Sequence, residues 1–428
     1  MKHVIIALLV FFSIGKSIAQ NPAPPQEKPV LIMNATAHIG NGEVIENAVV
    51  GFEKGLLTLV ADARTIRLDT TGYRVIDGSG HHVYPGFIAP NTQLGLTEID
   101  LVRATRDYAE VGEFTPHVRA LIAYNTDSRI IPTIRTNGVL LSQIVPKKGR
   151  IAGTSSIVQL DAWNWEDAVV AADQGVHLYW SALYARRGWW AEQKGVEKNE
   201  AWSKALQEVR QFMDEAKGYA AISDPETIHQ PFEAMRGLFE GTQQLYIHVN
   251  GVQDIRQALT LVEEYDLEAV LVGARDAWMI TDEVKAAGVA VILRSPHSLP
   301  GYEDADVEQP YKTAQILHDA GIPYCLSIDG SWQVRNLPFV AGTTVHYGLT
   351  REQALMSISS APAEILGIDD RYGTLEEGKS ATLLLSTGDA LDMRTHNVVA
   401  AFIDGRQIDL NNHQKELYET YKEKYGLE

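Results

Sequence analysis

From about residue 83 onward, eight apolar runs of strand length recur along the chain: Val83–Pro90, Gly138–Val145, Ser156–Leu160, Gly175–Trp180, Leu245–Asn250, Ala269–Ala274, Val289–Leu293 and Ile322–Ile328. Most are continuous rather than alternating, the pattern of strands covered on both faces. Several of the segments between them have helical spacing. Trp202, Leu206, Val209 and Met213 step by four, three and four, which puts Trp202 on a core-facing stripe, and Asp254–Glu264 and Tyr311–Ala320 are amphipathic. Eight buried strands with intervening helices predict an α/β fold, a distorted (β/α)8 TIM barrel. Ahead of it, Val30–Met33, Ala48–Phe52 and Leu56–Val60 are short β-prone runs separated by turn residues, and the same texture returns in Ala381–Ser386 and Val398–Asp404. A small β-sandwich domain built from both chain ends is the economical topology. The expected divisions are a signal peptide (1–19), a disordered leader (20–29), the first sandwich part (30–82), the barrel (83–371), the second sandwich part (372–410) and a polar C-terminal helix (411–428).

The first residues, MKHVIIALLVFFSIGKSIAQ, stand apart from this texture. Lys2, the apolar run Val4–Phe12 and the small residues Ser17 and Ala19 around Ile18 have the form of a signal peptide cleaved after Ala19. The run is shorter than the roughly 20 apolar residues that span a bilayer. The Pro-rich stretch NPAPPQEK that follows is expected to be disordered. The expected location is therefore a bacterial periplasm or the secreted medium, with no membrane partner. Cys325, the one cysteine, is far from the cleavage site and has no partner in the chain, which excludes a lipoprotein anchor and an intramolecular disulfide. Inside an apolar strand it is expected to be buried and inert.

Composition is ordinary, 45% hydrophobic and 21% charged, which excludes low complexity and global disorder. The 37 Lys and Arg against 55 Asp and Glu give a net charge of −18, and −20 once Lys2 and Lys16 leave with the signal peptide. Without a basic run, a nucleic-acid partner is excluded. Gly373-Thr-Leu-Glu-Glu-Gly-Lys379-Ser380 spells a phosphate-loop motif, but a strand rather than a helix follows it, and Glu376 and Glu377 would repel phosphate. It reads as a turn. Asn34-Ala-Thr36 is a glycosylation sequon that matters only in a eukaryotic secretory host.

Tyr84-Pro-Gly-Phe-Ile-Ala-Pro-Asn91-Thr-Gln93 resembles the first barrel strand of the amidohydrolase superfamily. Ala361-Pro-Ala-Glu-Ile-Leu-Gly-Ile368 with Tyr372-Gly-Thr-Leu-Glu-Glu-Gly-Lys-Ser-Ala-Thr382 is similar to its junction between barrel and sandwich, and Phe402-Ile-Asp-Gly-Arg-Gln-Ile408 to its final strand. The likeness covers residues 30–410 and is nearest the imidazolonepropionase-like branch. It implies a metal-dependent hydrolase of non-peptide C–N bonds, in which one or two divalent ions at the C-terminal ends of the strands activate water.

The ligand pattern of that family is altered here. Asn91 and Gln93 stand where strand one carries His-x-His, and neutral amides are feeble zinc ligands. Strand five keeps His248, strand six aligns Gly273 with the second histidine, and strand eight keeps Asp329. The expected cofactor is therefore none, or one weakly bound divalent metal, zinc or manganese, on His248 and Asp329. His177 or His297 would complete a rebuilt site. His81 and His82 read as structural. Trp180, Trp278 and Trp332 follow strand ends and face the expected mouth, where their rings and Arg275, Asp276 and Arg335 would bind substrate or else fill space. The acidic loop Tyr302–Gln309 either holds calcium or is solvated. Two functions stay open. In one, the protein hydrolyses an amide, cyclic amide or imine with Asp329 and His248 catalytic and Asn91 and Gln93 orienting substrate. In the other, it is an inactive homologue that binds a small ligand, forms a homo-oligomer or pairs with an active relative.

Overall fold

The computed structural model describes residues 21–186, 195–300 and 304–427. The expected signal peptide, Trp189, Trp190 and the start of the loop Tyr302–Gln309 lie outside the described residues.

Five strands open the chain: β1 (Val30–His38), β2 (Val44–Glu53), β3 (Leu56–Asp62), β4 (Arg74–Asp77) and β5 (His82–Pro85). The barrel strands are β6 (Phe87–Thr92), β7 (Val139–Ile144), β8 (Ile151–Gln159), β9 (Val169–Tyr179), β12 (Gln244–Val249), β13 (Ala269–Gly273), β14 (Ala290–Leu293) and β15 (Tyr324–Leu326). A small hairpin, β10 (Tyr184–Arg186) with β11 (Val196–Lys198), is inserted after β9. The chain closes with β16 (Leu383–Ser386), β17 (Val398–Ile403) and β18 (Arg406–Gln407).

Both chain ends share one sheet, ordered β18-β17-β16-β5-β1-β2-β3 with β4 also on β1. Its apolar core includes Phe52 and Phe402, edge to face at 5.0 Å. The run expected as one strand, Val83–Pro90, divides at Gly86. Its first half, β5, pairs with β1 and β16, and its second half, β6, opens the barrel. Glycine is required at the crossing, because a Cβ there would lie 2.8 Å from Thr382 and 2.9 Å from Leu140. Beside it His82 Nδ1 meets His38 Nε2 at 3.0 Å, and His38 Nδ1 meets Glu352 at 2.7 Å, so the histidine pair ties the sheet to the barrel.

The second sheet runs β6-β7-β8-β9-β12-β13-β14-β15, an almost closed barrel. Strand β8 is antiparallel to both neighbours, against the expected uniform direction. The six residues between β7 and β8 are too few for a crossover helix, and only an antiparallel pair can be joined so briefly. The gap between β6 and β15 is bridged without a ladder. Gln93 N donates to Gly330 O at 3.1 Å, Ile88 N to Ile358 O at 2.9 Å and Leu326 N to Ser357 O at 3.0 Å. Outside, the helix Trp202–Ala220 buries Leu206, Val209 and Met213, and the helices Val252–Tyr265 and Gln309–Ala320 cover the next strands. Trp202, expected in the core, is half-buried instead, its indole N–H donating to Asp254 at 3.0 Å.

Residues 21–29 are not the disordered leader that their composition suggests. Ala23 N donates to the buried carboxylate of Asp161 at 2.8 Å, and Gln26 bonds the backbone of Phe52 and Gly55 at 3.0 Å each. Asp161 is paired in turn with Arg135 and Arg406, so the segment is strapped across barrel and sheet. The phosphate-loop look-alike is a turn, with Lys379 paired to Glu376 at 2.9 Å and β16 following. Asp306 and Glu308 of the acidic loop hold Lys312, at 2.6 and 2.9 Å, rather than converging on a cation. The C-terminal helix, His413–Tyr425, is capped by Asn412 and buries none of its residues. Among the described residues no helix is long and apolar enough to cross a membrane.

Candidate functional site

Strand parity points alternate side chains into the barrel, and the inward positions of β9 and β12 are His177, Tyr179, Tyr246 and His248. The Tyr246 ring stacks on His177 at 4.8 Å and the Tyr179 ring on His248 at 3.9 Å. Gly175 makes room for this layer, since a Cβ there would lie 2.2 Å from the Tyr246 ring. His177 Nδ1 and His248 Nε2 are 2.9 Å apart. Burial holds both imidazoles neutral: His177 is pushed down to about 3, and His248 well below its ordinary value, first by burial and then by the nearby His177, Arg294 and Lys147. A neutral pair shares one hydrogen in this contact. Placing it on His177 Nδ1, donating to His248 Nε2, leaves the buried and partnerless His177 Nε2 as a bare acceptor instead of an orphaned N–H, the rarer defect. The hydrogen of His248 then sits on Nδ1.

At the mouth, Asp329 follows β15 and is 44% exposed. Asn91 Nδ2 donates to its Oδ1 at 3.3 Å, and Arg294 Nε forms an ion pair with its Oδ2 at 3.2 Å. Asn91 adopts a left-handed backbone, φ 55°, fixed by its N–H donating to Gln143 at 3.1 Å. Gln93, expected to orient substrate, is buried and its Oε1 accepts the Gly330 N–H at 3.2 Å, so its amide closes the barrel. Two cavities meet at Arg294. One, about 250 Å³, is lined by Gly273, Arg275, Asp276, Trp278 and Arg294. The other, about 470 Å³, is lined by Arg294, His297, Asp329, Gln333 and Asn336.

Of the expected site residues, Asn91 and Asp329 meet at the mouth, His248 lies in the buried histidine layer and lines neither cavity, and Arg275 and Trp278 line the smaller cavity. Arg275 forks onto buried Asp276 at 2.8 and 3.0 Å. Trp180 is half-buried against the barrel core and Trp332 is covered by Arg335 at 4.6 Å; neither lines the two cavities. His297 bonds Thr343 at 2.9 Å. Cys325 is buried, which pushes its thiol up and makes it a poor nucleophile. Arg294 was not legible as a site residue. Its only signal is a charge placed immediately after a buried strand.

The donor set does not fit a catalytic divalent ion. Such an ion takes three strong ligands and an open position. Gly273 has no side chain, Gln93 is bound to backbone, His248 Nε2 is bound to His177, and Asp329 already faces a guanidinium. Among the described residues no three His, Cys, Asp or Glu side chains are grouped to hold an ion.

A family model described as the amidohydrolase family matches residues 152–408. The chain is 25% identical over 371 residues to an imidazolonepropionase of Rhizobium rhizogenes, covering 81% of this chain and 88% of that one. It is 30% identical over 128 residues to amidohydrolase tasK of Hapsidospora irregularis, a match covering 27% of this chain and only 12% of that protein. In fold it is similar to the crystal structure of an amidohydrolase from Thermotoga maritima, with a TM-score of 0.76 at 20% identity over 89% of this chain and 99% of that one. With the barrel, the joint sheet and a family match across more than half its length, the chain belongs to the amidohydrolase family.

Proposed function

We propose that this protein is an exported hydrolase of a non-peptide C–N bond, in an amide, cyclic amide or imine of a small molecule, and that Asp329 is its general base. The exposed carboxylate of Asp329 carries the reading: it opens onto the larger cavity and is held in orientation by Asn91. His248, neutral and hydrogen-bearing on Nδ1, serves as a donor toward the carbonyl oxygen. With an amide or cyclic amide, water adds to the carbonyl carbon as its proton passes to Asp329, and the same proton goes to the leaving nitrogen when the C–N bond breaks; with an imine, water adds to the C=N carbon and the π pair goes to nitrogen. Arg275 and Trp278 position the rest of the substrate.

The test is Asp329→Asn in the mature protein, assayed against N-acyl amino acids, lactams and cyclic imines, with the melting temperature as a check on folding. Turnover is expected to fall by about 10²–10⁴-fold; activity that survives in a folded variant removes Asp329 as base. A second reading is favoured by the pairing of Asp329 with Arg294 and of His248 with His177, which ties both groups to protein partners. Under it the chain is a non-catalytic homologue that binds a small ligand or pairs with an active relative, and the wild type would turn over none of the panel while still binding some of it.

A further inference from the structure

Arg294 is unusual among the arginines of the mouth. It extends from the C-terminal end of β14 and lines both cavities, yet its one ion-pair or hydrogen-bond partner among the described residues is Asp329. A guanidinium has five N–H donors in a planar fork, and here none is engaged in a protein hydrogen bond among the described residues. The end of β13 lies close to it. Gly273, at the end of β13, has φ 91°, and a Cβ on it would lie 3.6 Å from Arg294 Nε and 2.8 Å from Asn250 Oδ1. Its charge reaches the histidine layer, where it helps keep His248 neutral. A cation thus stands at the end of β14 beside the base, with donors that no protein group saturates among the described residues.

We propose that Arg294 is a catalytic residue that binds the tetrahedral oxyanion formed when water adds to the substrate carbonyl, supplying by hydrogen bonds the positive charge this donor set cannot hold as an ion. The inference rests on the hydrolytic reading above. As the oxygen of water bonds to the carbonyl carbon and its proton moves to Asp329, the carbonyl π pair moves onto oxygen, and that oxyanion is met by the terminal N–H groups of Arg294. When the pair returns, the C–N bond breaks and Asp329 gives its proton to the leaving nitrogen. Such preorganised charge is commonly the largest contribution to lowering an acyl-transfer barrier. Arginine suits the position because its fork stays charged at all working pH values.

Methylphosphonate, a small tetrahedral oxyanion, is the probe. Its binding to the mature protein would be followed by ligand-observed NMR, with acetate as the planar control. Methylphosphonate is expected to bind more tightly than acetate, to lose at least tenfold in Arg294→Met, and to recover in part in Arg294→Lys, which keeps the charge without the fork. Side-chain exposure of 43% makes both variants compatible with folding. No binding by the wild type, or equal binding by Arg294→Met, overturns the proposal. Acetate bound as tightly as methylphosphonate also overturns it, since the site would then select a ground-state carboxylate. The two readings fail separately. Turnover that survives Asp329→Asn removes the base and leaves the anion site, whereas unchanged methylphosphonate binding in Arg294→Met removes Arg294 and leaves the base.

Discussion

Protonating His177 inside the folded barrel would place a charge in a fully buried layer between Tyr246 and His248, and this makes the stability of the protein fall steeply in acid. An imidazole in the unfolded chain titrates near 6.5, and burial takes His177 down to about 3 in the folded state. Between these values the unfolded chain binds a proton that the folded chain excludes, so stability is complete above pH 6.5 and declines as pH falls toward 3. From that difference the loss relative to pH 8 is about 2 kcal/mol at pH 5 and about 4–5 kcal/mol at pH 3. His248 is shifted in the same direction and adds to the loss. The comparison that isolates the effect is His177→Phe, which keeps a ring against Tyr246 and removes the titration. Urea unfolding followed by tryptophan fluorescence at pH 8, 6.5 and 5 would give both curves. Overpacking by the larger ring lowers the variant by about 1–3 kcal/mol at every pH, so the diagnostic is slope rather than height. Wild type is expected to lose about 2 kcal/mol more than His177→Phe between pH 8 and 5. Parallel curves would refute the argument that burial keeps His177 neutral.

Two further outcomes follow from the same contacts. After incubation with zinc or manganese and desalting, the mature protein is expected to retain well under about 0.2 equivalents of metal by mass spectrometry, because His248 and Asp329 do not make the three-ligand set a tightly held zinc needs; about one equivalent that disappears in His248→Ala would contradict the fit argued from the donor set. Asp161→Ala should cost about 3–5 kcal/mol in urea unfolding, since it leaves the buried Arg135 and the partly buried Arg406 without their carboxylate, and should release residues 21–26 to proteolysis. A cost below about 1 kcal/mol would show that this network is not what straps the segment down.

All eight barrel runs were legible because continuous apolar stretches of strand length report burial on both faces whatever the loops do. Their direction was not. Periodicity carries no sign, and the antiparallel course of β8 follows from the short turn at residues 145–150. That clue lies in the distance between runs rather than in the runs themselves. The division of Val83–Pro90 at Gly86 is likewise invisible in hydropathy, since both halves are apolar and only contacts with Thr382 and Leu140 separate them. The docked leader depends on Ala23 N–H meeting Asp161, 138 residues away, and on Gln26 meeting Phe52 and Gly55, contacts that composition cannot report.

The candidate site divides in the same way, and the division has a physical basis. Asn91, His248 and Asp329 could be named because they align with the metal-ligand positions of the family that the chain resembles, at the ends of strands one, five and eight. Gln93 shares that position, yet its amide is taken up by the Gly330 backbone, a contact set by barrel closure. Arg294 is not legible in this way, because its nearness to Asp329 is a tertiary contact that neither periodicity nor the family pattern reports. A Cβ at 273 would be in ordinary van der Waals contact with Arg294, at 3.6 Å, and only its approach to Asn250 Oδ1, at 2.8 Å, is too close. The same guanidinium neutralises Asp329, whose carboxylate would otherwise face the mouth with only the Asn91 amide beside it. Arg294 and Asp329 are a contacting charge pair, so substitutions at these two positions should be measured in combination, where their coupling can be separated from their individual effects.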